Sequence, residues 1–386
     1  MRVGFVVQRC GVEVNGGAET LCLQIAQRMQ AHWQVEILTT CALDYMTWAN
    51  HYPAGEFTEG GISIRRFSVD QPREVAHFNQ LSDELVALGR NAPLAKQEEW
   101  MQAQGPISSK LFAYLKSQRG SYDAFIFFGY LYATTYFGLP LVQEKAYLAP
   151  LGHDEWPIHL SMWDALFSQP KGYIFQTPEE LAFLRTRFPQ LKLDGAVAGI
   201  GVDAPDGLQP EEFRNTYGLQ KPFLLYLGRI DASKGCAEMF SWFAGRTRDN
   251  QPEFQLVVVG REAMPVPFHD DIIYLGFLSE AEKWNAMAAC EWLLLPSRYE
   301  SLSISLLETW IVGRPAIVNA QSDVLQGHCR RAHGGLWFTE WAEVDQILCT
   351  VDAATKDTLG AQGQSYVQQY YTWDRVIAEY LRTINS

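Results

Sequence analysis

Short apolar runs alternate with helix-length segments along the whole 386-residue chain. Val3 to Val7, Val35 to Leu38, Phe125 to Phe128, Tyr147 to Pro150 and Tyr173 to Phe175 predict strands in the first half. The alternation resumes after a Pro- and Gly-rich stretch, Gly199 to Pro222, with Phe223 to Leu227, Gln255 to Val259, Ile272 to Leu275, Trp292 to Leu295 and Ala316 to Val318. Unbroken apolar runs suit strands covered on both faces, and strand–helix alternation builds parallel sheets. The fold class is therefore α/β, with two doubly wound Rossmann-like domains. The boundaries fall at residues 1–195, joined by a returning C-terminal helix at 370–386, and residues 196–369. That helix places Trp373, Ile377, Tyr380 and Ile384 on an apolar face. Asp44 to Arg119 is less regular and reads as variable loops and helices on the first domain, where recognition of a second substrate is expected.

Composition narrows the function classes. An apolar content of 47% over this length supports two cores rather than one. The net charge of -13 argues against nucleic acid, which needs basic stripes, and weakens docking on anionic lipid without removing it. Seven scattered cysteines without a Cys-x-x-Cys pair read as buried thiols in a reducing cytosol. The strand pattern begins at Met1 with no secretory leader, so a cytoplasmic protein is expected. Ala124 to Val142 is uncharged and near membrane length, but Gly129, Pro140 and three tyrosines interrupt it, and a core strand followed by loop and helix fits better.

Candidate chemistry follows predicted strands. Glu300 and Glu308 bracket a helix start after Trp292 to Leu295, with Ile304, Leu307 and Ile311 at helical spacing and Gly313-Arg314-Pro315 as the stop. The helix is expected to begin near Ser301 to Ser303, where unpaired N–H groups and the dipole favour a diphosphate. Arg229 and Lys234, in the loop after Phe223 to Leu227, supply cations for a diphosphate leaving group. Gly16-Gly17 opens a helix after the first strand, and a ligand could approach its backbone; a tight structural turn explains it equally. His153 ends another strand, as a candidate sugar contact or an ordinary structural histidine. Cys329 and His333, with His328 beside them, lack a second ligand pair for zinc, and no Asp-x-Asp is placed to bridge a diphosphate through a divalent ion, so no metal or cofactor is expected.

In order and spacing, these residues resemble the retaining glycosyltransferases of family 4, which have the GT-B fold of two facing Rossmann-like domains. The resemblance runs through Gly16-Gly17-Ala18-Glu19, His153-Asp154, Gly199-Ile-Gly201-Val-Asp203, Gly228-Arg229 with Lys234-Gly235, Gly260, Gly276-Phe-Leu278, Glu300 through Glu308, and Trp373. It implies metal-independent transfer of a sugar from a nucleotide diphosphate sugar, UDP favoured and GDP possible, to a hydroxyl of a glycan or lipid-linked glycan, with retention. It implies catalytic roles for Glu300, His153, Lys234 and Arg229. The donor would be held by Gly17, Arg229, Lys234, Gly260, Leu278, Glu300, Ser301, Leu302, Ser303 and Glu308, with Glu308 on the ribose. The family usually has Gly-Phe-Gly where this chain has Ser301-Leu302-Ser303, so the backbone approach to the donor is open to change. A lipid-linked acceptor implies peripheral contact with the cytoplasmic membrane face. The rivals are a nucleotide-sugar epimerase of the same fold and a catalytically silent nucleotide-sugar-binding subunit; same-face displacement and a carboxylate nucleophile both remain open.

Overall fold

A computed structural model describes residues 1–11, 13–14, 16–246 and 253–385. Val12 and Asn15 of the glycine loop lie outside the described residues. The chain divides into two compact units, residues 1–200 with 374–386, and residues 201–373.

The first unit carries eight strands: β1 (Arg2–Arg9), β2 (Gln34–Thr40), β3 (Gly55–Glu59), β4 (Ile62–Phe67), β5 (Ala124–Phe128), β6 (Ala146–Ala149), β7 (Gly172–Phe175) and β8 (Gly195–Val197). They form one sheet in the order β3-β4-β2-β1-β5-β6-β7-β8. Only the β3–β4 pairing is antiparallel. The second unit carries β9 (Phe223–Leu227), β10 (Gln255–Val259), β11 (Ile272–Gly276), β12 (Trp292–Leu295), β13 (Ala316–Asn319) and β14 (Gly335–Phe338), all parallel, in the order β11-β10-β9-β12-β13-β14. Both are Rossmann-like sheets. Each has a core of strand residues roofed by helices: Phe125, Phe127 and Leu148 with Trp100 and Trp163 in the first, and Leu224, Leu256, Val258, Trp292 and Leu294 in the second.

Four strands and the last helix differ from the sequence expectation. The stretch Asp44 to Arg119 holds the β3–β4 hairpin as well as loops and helices, and β4 joins the sheet alongside β2. Ile62 and Ile64 are buried while the residues between them are less so, which is the period-two pattern of a strand. The three-residue β8 and the Gly-led β14 carry too little apolar signal to announce themselves. In the last helix, Trp373–Asn385, the buried positions are Trp373, Val376, Tyr380 and Ile384. Ile377 is only half-buried, so the face is rotated by one residue from the expected one. Ala124 to Val142 contains β5 and a short helix, Ala133–Tyr136. Among the described residues no helix is long and apolar enough to cross a membrane.

Candidate functional site

Ligands of parallel α/β sheets gather beyond the carboxyl ends of the strands, and in the second unit four strand ends converge there through close backbone approaches. Gly228, just after β9, donates its N–H to Val259 at 3.0 Å, and Gly260, just after β10, donates to Gly276 at 2.8 Å. Gly260 sits at φ +140°, and a Cβ on it would lie 1.9 Å from the Gly228 carbonyl oxygen, so any side chain would force these turns apart. Gly235 plays the same part between β9 and β12. Its φ is +76°, and a Cβ would come within 2.6 Å of the Pro296 carbonyl oxygen. Asn319 donates to that carbonyl at 2.9 Å and fixes it from the other side.

The glycine at 235 lets the loop after β9 lie against the loop after β12, and this brings Lys234 to Glu300. The Lys234 ammonium donates to Glu300 Oε1 at 2.8 Å, with both side chains partly buried. Asp231 caps the turn Ala232–Lys234 by accepting from the Lys234 amide at 3.1 Å and from Ser233 Oγ at 2.6 Å. It also pairs with the Arg229 guanidinium. Burial would raise the Asp231 carboxyl, but Arg229 and these donors outweigh it and hold it below the usual carboxylate range. Both predicted cations are thus parked on carboxylates.

After Glu300 the chain passes through Ser301, Leu302 and Ser303 into the helix Ile304–Ile311. The helix starts at the C-terminal edge of the expected window, and Gly313 at φ +75° stops it. Its buried side is Leu306, Leu307 and Trp310, whereas Ile304 and Ile311 are half-buried. Ser303 is the N-cap, but its side chain makes no cap hydrogen bond and its backbone is left-handed, φ 65° and ψ 76°. The backbone here keeps a glycine-like conformation although the residue is serine. For a residue with a Cβ this costs on the order of 1 kcal/mol.

A compensating contact comes from the helix Asp323–Ala332. His328 is fully buried and its Nε2 donates to the Leu302 carbonyl at 3.1 Å. A carbonyl only accepts, so this geometry assigns the proton to Nε2; Nδ1 has no hydrogen-bond partner among the described residues. Burial, with Arg331 adding to it, lowers the imidazole to about 3 against the opposing pull of the Leu302 carbonyl, and the ring is neutral at ordinary pH. One such hydrogen bond contributes about 1 kcal/mol, the same size as the strain at Ser303.

Glu308 lies one helical turn and more beyond, buried, and accepts from the Lys283 ammonium at 3.0 Å. Burial raises its carboxyl, only partly offset by Lys283. Lys283 was not singled out in the sequence. The signal was the Ser279-x-x-Glu282 capping box, present in the structure, which fixes the start of the helix Glu280–Ala289 after β11 and so the face on which Lys283 falls. Leu278, just ahead of that cap, is buried, whereas Phe277 is 65% exposed. The structure therefore brings Arg229, Lys234, Glu300, Ser301, Leu302, Ser303 and Glu308 onto the loops after two strands adjacent in the sheet and one helix, and Gly260 and Leu278 onto the neighbouring strand ends.

Gly17 and His153 belong to the first unit. Gly17 is the first residue of the helix Gly17–Met29, and a Cβ there would meet nothing within 4 Å. The tight position is Gly16, where a Cβ would fall 2.2 Å from Glu19 Oε2. Glu19 accepts from Arg9 Nε at 2.5 Å and Gln8 Nε2 at 2.9 Å, a buried cluster that fixes the loop entry. His153 Nε2 is 3.7 Å from Glu155 Oε1. The loop before it is strained at Leu151, φ 55°, and held by Glu180, which accepts from the Gly152 amide at 2.8 Å and the Gln176 amide at 2.6 Å. Burial pushes Glu180 up to about 8 despite these donors. Among the described residues no three His, Cys, Asp or Glu side chains converge as a metal site.

Residues 209–362 match the family model described as "Glycosyl transferases group 1". An alpha-D-kanosaminyltransferase from Streptomyces kanamyceticus is 32% identical over 127 residues, which are 30% of this chain and 33% of that protein. The match thus spans about a third of the curated relative's length. Among solved structures, sucrose-phosphate synthase from Thermosynechococcus elongatus superposes with a TM-score of 0.72 at 16% identity, covering 99% of this chain and 97% of that one. Anabaena HepE in complex with UDP and glucose gives 0.70 at 15% identity, covering 100% and 99%. The superpositions establish a GT-B fold, and the match to the glycosyl transferases group 1 model is confined to residues 209–362.

Proposed function

We propose that the protein transfers a sugar, with retention, from a nucleotide diphosphate sugar to a hydroxyl of a glycan or glycolipid, with UDP as the favoured nucleotide. The observation that carries this reading is the Lys234–Glu300 pair at 2.8 Å beside the mouth of the helix Ile304–Ile311, with Arg229 in the same loop as Lys234. A partly exposed ion pair is worth about 0–1 kcal/mol, so an incoming diphosphate, with more charge and helix N–H groups to meet it, can displace Glu300 from Lys234. The freed carboxylate then accepts from sugar hydroxyls. Glu308 takes the ribose, and the backbone near Leu278 and Gly260 takes the base. His153 and Gly17 are assigned to the sugar and acceptor side of the reaction. The UDP and glucose bound by HepE, a protein of like fold, favour the uridine donor.

In the step we favour, the acceptor oxygen bonds to the anomeric carbon as the carbon–phosphate oxygen bond breaks. The electron pair leaves on the diphosphate, and the acceptor proton passes to the departing phosphate oxygen. Arg229 and Lys234 stabilise that charge. No metal is needed in this scheme, since two cations and the helix mouth meet the charge. A membrane-linked acceptor would bring the protein to the cytoplasmic membrane face.

The test is a thermal-shift panel of UDP, GDP and their sugars, followed by NMR of the product's anomeric configuration. Stabilisation by a nucleotide diphosphate and a product with the donor's configuration are expected. Conversion of the donor sugar without an acceptor would instead establish an epimerase, and absence of any nucleotide binding would overturn the proposal.

A further inference from the structure

We propose that His328 is a positioning residue for the donor loop: by donating its Nε2–H to the Leu302 carbonyl, it holds Ser303 in the left-handed conformation from which the helix Ile304–Ile311 opens toward a diphosphate. The inference rests on the donor reading above and goes one layer behind it, to a side chain that touches no substrate.

Leu302 is itself buried, so its carbonyl cannot turn to water if the imidazole is removed. The imidazole has little room to do anything else. It is packed against the rings of Trp310, Tyr366 and Tyr371, with centroids 6.3, 6.2 and 5.8 Å away. Trp310 belongs to the same helix that Ser303 caps, so His328 grips that helix at its mouth and on its flank. The charged group facing the cluster is Arg331, whose guanidinium donates to the Tyr366 hydroxyl at 3.0 Å. An arrangement serving only to fill the core would be met by phenylalanine, which leaves no orphan nitrogen. An Nδ1 with no partner among the described residues is the cost of putting a donor at Nε2, and the Leu302 bond is the polar contact the ring makes there. The serine at position 303, where the resembled family has glycine, explains why this chain needs such a brace.

The experiment compares UDP affinity by calorimetry in the full-length wild type, H328F and H328Q, with thermal midpoints measured alongside. Phenylalanine keeps the ring and loses the donor; glutamine offers an N–H near the place of Nε2. The expectation is a loss of about tenfold in H328F, the weight of one hydrogen bond to a buried acceptor, largely restored in H328Q. UDP affinity unchanged in folded H328F, or equally weak in both variants, overturns the inference. Should H328F fail to fold, 15N-histidine NMR of the wild type decides: a neutral Nε2–H tautomer from pH 5 to 8 whose signal moves when UDP is added supports it. A charged ring, an Nδ1–H tautomer or a signal indifferent to UDP overturns it. A wild type that binds neither UDP nor GDP sinks the donor reading itself and this inference with it.

Discussion

At the scale of residues, the two parked cations make distinct predictions. Lys234→Ala removes preorganised charge from the leaving group, and turnover is expected to fall at least ~100-fold in a sugar-transfer assay. Glu300→Gln should separate binding from chemistry. It releases Lys234 from its carboxylate, so UDP should bind more tightly by calorimetry while turnover falls; weaker UDP binding would mean that the pair does not compete with the diphosphate. Ser303 offers a third case. Ser303→Gly relieves a left-handed Cβ and is expected to leave the thermal midpoint unchanged or raise it by the equivalent of up to about 1 kcal/mol, whereas Ser303→Val should lower it. The strand ends on which the candidate residues sit were legible in the sequence because apolar runs mark the strands that precede them. Their partners were not. Glu300 for Lys234 and Lys283 for Glu308 depend on how turns approach one another, and that is decided by Gly235 and the cap at Ser279.

Elements repeat the lesson with a different cause. The ten strands expected from apolar runs are all present, because a strand buried on both faces writes its burial directly into sequence. The hairpin β3–β4 escaped because the charges Glu56, Glu59, Arg65 and Arg66, the last of them on the buried face, mask the alternation, and β8 and β14 because exposed positions interrupt their short runs. The helix Pro178–Arg187 shows an effect sequence cannot display, since its Glu180 is buried against the amide of Gly152. A carboxyl raised by burial is more protonated in the folded than in the unfolded protein. Its contribution is therefore fully present below about pH 4.5 and is lost as pH rises through about 8. Unfolding of the full chain followed from pH 5 to 9 should show stability of the first unit falling across this window, and Glu180→Gln should flatten the fall. A slope unaltered by the substitution would assign the pH dependence elsewhere.

On the scale of the molecule, the second unit is one uninterrupted segment, residues 201–373, with its own sheet and core. It holds the cations, both acids and the helix mouth. Expressed alone, this segment is expected to fold and to bind UDP within about tenfold of the full chain while transferring no sugar; failure to bind would place essential donor contacts in the first unit. The first unit is differently built. It is completed by residues 374–386, and Tyr380 and Ile384 of the last helix are buried in it, with Tyr147 donating to the Ile384 carbonyl at 3.4 Å. The segments on which the chain enters and leaves the second unit run side by side: the Val202 amide donates to the Tyr371 carbonyl at 2.8 Å, and a Cβ on Gly201 would strike Trp373 at 2.4 Å. This threading fixes an order of events on the ribosome. The half that is translated first must wait, open along the groove its final helix will fill, until the half translated second has been made, so newly begun chains depend on prompt completion to escape aggregation.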